Sequence, residues 1–430
     1  MTQTVWFTKS DERARDVLRA RCRNIPALAK FAPLLREAEL AEILQTLPET
    51  DKSFYQHAGE QAYSADRSSV LLFSETSGTS GSGPLLTPRG RDDLHWNTRN
   101  QAHAYSQWLE PHHDRIMLLN PSVMSPFIEG SARALFDLGV AQMRAFPIPR
   151  ICDWARMGRL INDYELTAIM STPTLIFKLM CELDNLGIEV PSLRQFILTG
   201  EQLSRQCLNA LDQVLGIPGA SKVLVYGSSE AATVMHGVAD GGYRGYLSDF
   251  LFEIKPVDFK WKKQVARTLP DDAVVGQLLI TWLRDGIMPL VRYNTKDLFA
   301  AYRDPQSKDP VFRALGRENE TGLSPVQTEA LDGLLLGETR LGADLVYHYD
   351  VLLFPTRAEI SVITSRNSLH GAVDAGVLED LEKVLQRPVS LSVNPPEHPF
   401  FDFSPLAKTT RITAGVAPEH VARKEVELVK

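Results

Sequence analysis

Glu75-Thr76-Ser77-Gly78-Thr79-Ser80-Gly81-Ser82-Gly83 places three glycines and five hydroxyl side chains in nine residues, directly after the apolar run Val70-Leu71-Leu72-Phe73. A strand feeding such a loop presents backbone N–H and side-chain O–H donors with little bulk around them, which suits the oxygens of a nucleotide phosphate. A flexible serine-glycine linker has the same composition, so the stretch alone leaves both readings open. Two familiar phosphate loops are excluded by single residues. A Walker loop opening at Gly78 needs lysine where Pro84 stands. A dinucleotide fingerprint opening at Gly81 needs a third glycine where Leu86 stands.

Outward from this loop the pattern alternates. Short apolar runs at Val70–Phe73, Arg115–Leu119, Met143–Phe146, Ala168–Met170, Gln195–Leu198 and Lys222–Tyr226 read as strands. Amphipathic stretches at Arg91–Trp108, Ser131–Leu138, Thr174–Leu186 and Ser204–Leu215 separate them, which predicts a wound α/β sheet. Before the loop, Asp11–Cys22 and Leu34–Leu47 carry helical spacing. From Gly242 to Tyr302 the chain is strand-rich, with Gln277–Trp282 and Pro289–Tyr293 the clearest runs. Arg303 to Gly342 is rich in Gly, Pro, Glu and Asp, and a domain boundary is expected there. Asp344–Phe354, Arg357–Thr364, Gly376–Leu385 and Pro388–Val393 then read as strand, strand, helix and strand, a small α+β domain. The expected division is 1–316 and 317–430.

With 430 residues, 44% hydrophobic and 23% charged, the chain exceeds one ordinary core and has the composition of a soluble globular protein. A net charge of -7 argues against nucleic acid or an anionic membrane as partner. Cys22, Cys152, Cys181 and Cys207 form no C-x-x-C pair. No secretory leader is read at the N-terminus, so reduced thiols and a cytoplasmic location are expected. No apolar run reaches the roughly 18 residues that span a bilayer. His112-His113 beside Pro111 has no third ligand at useful spacing and reads as a loop feature.

Four further groups stand at or near apparent strand ends, where ligands of wound sheets bind. Leu198-Thr199-Gly200-Glu201 lets a flat ligand approach the backbone, or is a strand-to-helix turn. Val225-Tyr226-Gly227-Ser228-Ser229-Glu230 offers a carboxylate able to hold Mg²⁺ on a triphosphate, or is a turn with a surface glutamate. In Val291-Arg292-Tyr293-Asn294-Thr295-Lys296-Asp297 the aspartate can accept from two ribose hydroxyls, or is a β-turn residue. Leu315-Gly316-Arg317-Glu318-Asn319-Glu320 offers an arginine for phosphate or ribose oxygens, or is a polar connector.

The ordered series T-S-G-T-S-G, T-G-E, Y-G-S-S-E, R-Y-N-T-K-D and G-R resembles that of the adenylate-forming superfamily, and most closely its phenylacetate–coenzyme A ligase-like branch. The resemblance covers residues 70–317 well and the remainder poorly. It implies a large N-terminal adenylate-forming domain with wound β-sheets and helices, plus a small mobile α+β C-terminal domain. It implies ATP-dependent activation of a carboxylic acid as acyl-AMP, release of pyrophosphate, and transfer to a thiol or amine. By the same resemblance Thr76, Ser77, Gly78, Thr79, Ser80 and Gly81 wrap the β- and γ-phosphates. Thr199, Gly200 and Glu201 line the adenine pocket, and Tyr226 lies near the base with Gly227 and Ser228 following. Ser229 touches the α-phosphate, Glu230 holds Mg²⁺, Asp297 takes the ribose hydroxyls, and Arg317 contacts ribose or phosphate beside a pivot at Glu318 or Asn319. Pro405-Leu406-Ala407-Lys408-Thr409-Thr410-Arg411 resembles the family's lysine segment, so Lys408 is expected at the reacting carboxylate and α-phosphate.

Two departures qualify this. The phosphate loop lacks the family's lysine near Ser82 to Pro84, with Arg89 and Arg91 as candidates to replace it. After Gly316-Arg317 the family's basic-glycine turn is replaced by Thr321-Gly322-Leu323-Ser324-Pro325, which puts the coenzyme A step in doubt more than adenylation. An amine or a carrier-protein thiol is then an alternative acceptor, and a non-catalytic nucleotide-binding relative an alternative reading of the whole. The acyl pocket is expected around Ser122, Met124, Phe127, Met235 and His236, a mix suited to a small aromatic or amino-bearing acid. The assembly state is left open, a homodimer included.

Overall fold

The βα alternation expected after the Gly/Ser loop is present. The computed structural model describes residues 4–76, 83–119, 127–146, 152–239, 241–259, 261–317, 323–336, 341, 345–366, 373–395 and 411–414. In chain order the elements begin with β1 (Val5–Phe7), α1 (Asp11–Asn24), α2 (Leu40–Thr46), α3 (Lys52–Ala58), β2 (Leu72–Glu75), β3 (Leu86–Arg89) and α4 (Arg91–Ser106). Then come β4 (Arg115–Leu119), α5 (Phe127–Leu138), β5 (Ala141–Ala145), α6 (Trp154–Asp163), β6 (Ala168–Ser171), α7 (Pro173–Asn185), β7 (Gln195–Leu198) and α8 (Arg205–Leu215). Strands β8 (Ser221–Val223), β9 (Val225–Ser228), β10 (Ala232–Gly237), β11 (Tyr243–Gly245) and β12 (Phe250–Lys255) precede α9 (Lys262–Ala266), β13 (Val274–Trp282), β14 (Tyr293–Arg303) and β15 (Pro310–Arg317). The chain closes with α10 (Pro325–Leu335), β16 (His348–Leu353), β17 (Ala358–Ile363), α11 (Ala375–Leu385), β18 (Val389–Asn394) and β19 (Ile412–Ala414).

By their internal contacts these elements fall into two compact units. One comprises Met1–Met143, Leu198–Gln202 and Lys222–Glu318, the other Arg144–Ile197, Leu203–Ser221 and Asn319–Lys430. The first is built on an eight-stranded sheet in the order β1-β12-β13-β14-β15-β11-β10-β9, antiparallel at every pairing. Helix α1, α2 and the turn between them bury Leu18, Cys22, Ile25, Leu35, Ile43 and Leu44 against Leu251, Leu283 and Val291. The hairpin β2–β3 and helix α4 belong to the same unit.

In the second unit β6 lies beside β7, and β6 is buried along its whole length. Helix α7 starts where a sequence reader would place it, since the Thr172 hydroxyl accepts from the Leu175 amide and Pro173 opens the first turn. Its C-terminal sheet has the order β18-β17-β16-β19, with β16–β17 antiparallel and both outer pairings parallel.

The structure corrects several element assignments. Lys222–Tyr226 is two strands, because the Leu224 amide turns away to the Leu198 carbonyl, 2.8 Å off. Leu34–Leu47 is not one helix: Leu34 and Leu35 end the 3₁₀ turn Pro26–Leu35, and the separate α2 begins only at Leu40, behind the capping box of Glu39 and Glu42. Pro289–Tyr293 is not a strand: Arg292 has φ +45° and β14 begins only at Tyr293. The polar stretch Arg303–Gly342 contains β15 and α10, the latter begun by a Ser324–Gln327 capping box. Strand β1 and helix α6 lie in stretches where no such element was expected.

Candidate active site

Strand β14 is bulged where it passes Leu278. Leu279 pairs with Asn294 and Gln277 with Leu298, leaving three residues of β14 opposite one of β13. The polar residues of this motif build the bulge. Asn294 Oδ1 accepts from the Lys296 amide at 2.9 Å and Thr295 Oγ1 from the Asp297 amide at 3.1 Å, with Lys296 at φ +64°. This re-aims Asp297. Its Oδ1 accepts from Arg317 Nε at 2.7 Å, directly across the β14–β15 pairing, and its Oδ2 from the Tyr226 hydroxyl at 2.6 Å. Burial and the neighbouring Asp297 charge push the Tyr226 phenol well above its usual range, so it remains a donor.

Tyr226 comes from the β9–β10 hairpin, which is pinched at Gly227. A Cβ there would collide with the Ala232 carbonyl across the hairpin. The tip that follows carries Ser229 and Glu230. Glu230 Oε1 accepts from the Tyr293 hydroxyl at 2.7 Å, and Tyr293 is the first residue of β14. Arg89, the last residue of β3, donates to the main-chain carbonyls of Ser229 and Glu230, the latter at 3.0 Å. Thr76 closes the other end of its hairpin, where its hydroxyl accepts from the Leu85 amide at 2.9 Å.

Thr199 follows β7 and its hydroxyl donates to the Val225 carbonyl at 3.2 Å, so the T-G-E turn abuts the start of β9. Gly316 has φ +91°, and a Cβ on it would lie 2.7 Å from the Gln202 side chain. The T-G-E and G-R motifs therefore approach each other through Gln202 and Gly316. Four of the five expected motifs converge within one unit through these contacts.

No protein-family model matches this chain, and no curated protein matches it. Solved structures do. The chain is similar to 2-hydroxyisobutyryl-CoA ligase in its postadenylation state in complex with 2-HIB-AMP, with a TM-score of 0.74 at 14% identity over 98% of this chain and 93% of that one. It is also similar to that ligase in complex with 2-HIB-AMP and CoA in the thioesterification state, with a TM-score of 0.58 at 14% identity over 98% and 94%. The chain has the adenylate-forming ligase fold.

Within that fold the remaining expected residues are placed as follows. Ser77 to Gly81, Ser122, Met124, Glu318, Asn319 and Lys408 lie outside the described residues. Ser228 is internal to its turn, its hydroxyl accepting from the Ala231 amide at 3.0 Å. Gly200 and Glu201 follow β7, and Phe127 opens α5. Met235 is wholly buried, while its neighbour His236 packs edge-on against His103 of α4, with ring centroids 4.8 Å apart, and against Tyr246. Successive strand residues point to opposite faces, so Met235 and His236 do not line one wall.

Of the two arginines considered in place of the loop lysine, Arg91 is exposed at the start of α4, whereas Arg89 is only 3% exposed and faces carbonyls. Burial pulls the Arg89 pKa below its usual value, and Asp93 and Glu230 oppose that shift. Sequence reasoning missed the Tyr293 tether and the bidentate Arg292–Glu253 pair, buried beneath the same motif with Nη2–Oε2 at 2.8 Å. An arginine with left-handed φ inside an apolar stretch has no sequence signature, but a tyrosine leading a polar turn was a usable signal.

Proposed function

We propose that this chain is an ATP-dependent ligase that activates a small carboxylic acid as acyl-AMP, releases pyrophosphate, and passes the acyl group to an acceptor. The observation that carries the reading is the Asp297 carboxylate, aimed by a bulge and fixed by Tyr226 and Arg317 in a chain with this fold. A carboxylate so held has its orientation set while its remaining lone pairs can accept from vicinal hydroxyls of a ribose. In this reading Thr76 to Gly81 surround the β- and γ-phosphates, Thr199 to Glu201 flank the adenine, Ser229 meets the α-phosphate, and Lys408 meets the reacting oxygens. Residues 317–430 act as the smaller, mobile part.

The donor set suits Mg²⁺. Glu230 is a single half-buried carboxylate steadied by one hydroxyl, and among the described residues no three His, Cys, Asp or Glu side chains converge as a metal cluster. A lone carboxylate fits an ion that takes most of its ligands from phosphate and water. Bound there, Mg²⁺ would neutralise phosphate charge. The chain's own part is positioning and electrostatics, in keeping with phosphoryl chemistry that asks little covalent work of the protein.

The similar ligase binds CoA, which supports a thiol acceptor. One observation favours an amine instead: the segment after Arg317 lacks a basic-glycine turn and leads directly into the Ser324-capped helix α10. Small aromatic and amino-bearing acids are the substrate class to try first. The test is pyrophosphate release from Mg·ATP across a panel of small acids, with hydroxylamine to trap adenylate and coenzyme A in a parallel series. Acid-dependent release that Lys408→Ala abolishes is expected. Silence across the panel with ATP still bound would favour a nucleotide-binding protein without turnover.

A further inference from the structure

Arg89 is among the most buried charges in the first unit, at 3% exposure, yet its guanidinium reaches no substrate-facing group among its described partners. It lies over the Trp282 ring at 5.0 Å from the centroid, with Nη1 3.8 Å from Asp93 Oδ1. Asp93 is itself 1% exposed, and its Oδ2 accepts from the amides of Gly90 at 2.7 Å and Ile287 at 3.0 Å. The pair is thus anchored to β3, α4 and the turn before Pro289. What remains of the guanidinium is directed at two successive carbonyls, those of Ser229 and Glu230. Both bonds come from Nη2, whose orientation is fixed by the planar guanidinium while Nη1 faces Asp93; a lysine ammonium on a flexible stem holds such a relation less well.

We propose that Arg89 is the positioning residue for the Glu230 carboxylate. The backbone of the β9–β10 tip is clamped from one side by Arg89, and the carboxylate is tethered from the other by the Tyr293 hydroxyl. Held at both ends, Glu230 has little freedom left to lose when it takes up a cation. Because β3 is also the strand that returns from the Gly/Ser loop, the same arginine ties that hairpin to the tip bearing the acid. This rests on the reading of Glu230 as the residue that holds Mg²⁺.

The probe is Mn²⁺ binding in the presence of a non-hydrolysable ATP analogue, read by electron paramagnetic resonance on the full chain, so turnover is not needed. Arg89→Lys should weaken Mn²⁺ binding about tenfold, the scale seen for residues that orient a metal's own ligands. Circular dichroism and melting establish that each variant is folded, and Arg89→Gln replaces Arg89→Lys if the latter is not. In Glu230→Gln the loss should be larger, and adding Arg89→Lys to it should cost nothing more, because the arginine acts only through that side chain. Additive losses, or unchanged binding in a folded Arg89 variant, overturn the positioning role alone. Unchanged binding in Glu230→Gln overturns the metal reading, and the Arg89 role with it.

Discussion

At the scale of single residues, His236 carries a consequence of its surroundings that is open to titration. Burial first, then the facing His103 and the nearby Arg244, hold its pKa down at about 4 against an ordinary 6.5, with the Gly237 carbonyl opposing. Tyr246 flanks both imidazoles and donates to the Asn100 carbonyl at 2.5 Å. A histidine neutral in the folded chain but protonated in the unfolded one binds more protons when unfolded. The contribution of this histidine to stability is therefore complete above about pH 6.5 and is lost as the pH falls towards 4. We expect the melting temperature to decline between pH 7 and pH 5, and His236→Gln to flatten that decline. An unaltered pH profile in a folded variant would remove the imidazole as its source. Asp297 stands out in the sequence through its place in the ordered motif series, since an aspartate after Asn and Thr reads alone equally as a β-turn residue; in the structure those two side chains form the bulge inside β14 that aims it. The partners of Arg89 do not, because they are main-chain carbonyls 140 and 141 residues away, which no side-chain pattern encodes.

Among elements, the β9–β10 hairpin shows how tightly local geometry and site are joined. Gly227→Ala would drive a methyl group against the Ala232 carbonyl, and the strands must separate to admit it. Overpacking of this kind costs about 1–3 kcal/mol. Because Tyr226 and Glu230 flank this glycine, the variant should melt earlier and also bind ATP more weakly. Lower stability with unchanged ATP affinity would show that the hairpin is only scaffold. The elements that sequence reading placed well are those with strong caps and pure periodicity, such as α7 behind Thr172-Pro173 and α8 behind Ser204. Those it misplaced depend on distant partners. Strand β15 sits in a Gly-, Pro- and Asp-rich stretch and is strand because β14 and β11 flank it. The roles expected of the pivot and the lysine segment come only from a resemblance, while the phosphate loop also stands out by its glycine and hydroxyl content; Ser77 to Gly81, Glu318, Asn319 and Lys408 lie outside the described residues.

For the whole molecule, the second unit is knotted by two acids. Asp332 of α10 accepts from Ser204 Oγ at 2.6 Å, Tyr349 Oη at 2.6 Å and Arg411 Nη1 at 2.9 Å. Asp184 of α7 accepts from Tyr347 Oη at 3.1 Å and from the Ser365 hydroxyl. Removing a buried carboxylate shared by three donors is expected to destabilise by roughly 3–5 kcal/mol. Asp332→Ala should therefore lower the urea midpoint markedly, and an unmoved midpoint would mean that these donors find other acceptors at no cost. Both acids tie α7 and α8, from the middle of the chain, to segments beyond residue 322. During synthesis the apolar faces of α7 and α8 thus emerge well before α10 and β16, which complete their surroundings. The delay is about 110 residues from the end of α8 to the start of α10 and 163 from the end of α7 to the start of β16, which at ribosomal speeds of about 5–20 residues per second leaves those faces waiting for roughly 5 to 30 seconds. The nascent chain should be a stronger client for chaperones over that interval than after release, and a fragment ending near residue 316 should retain that dependence permanently.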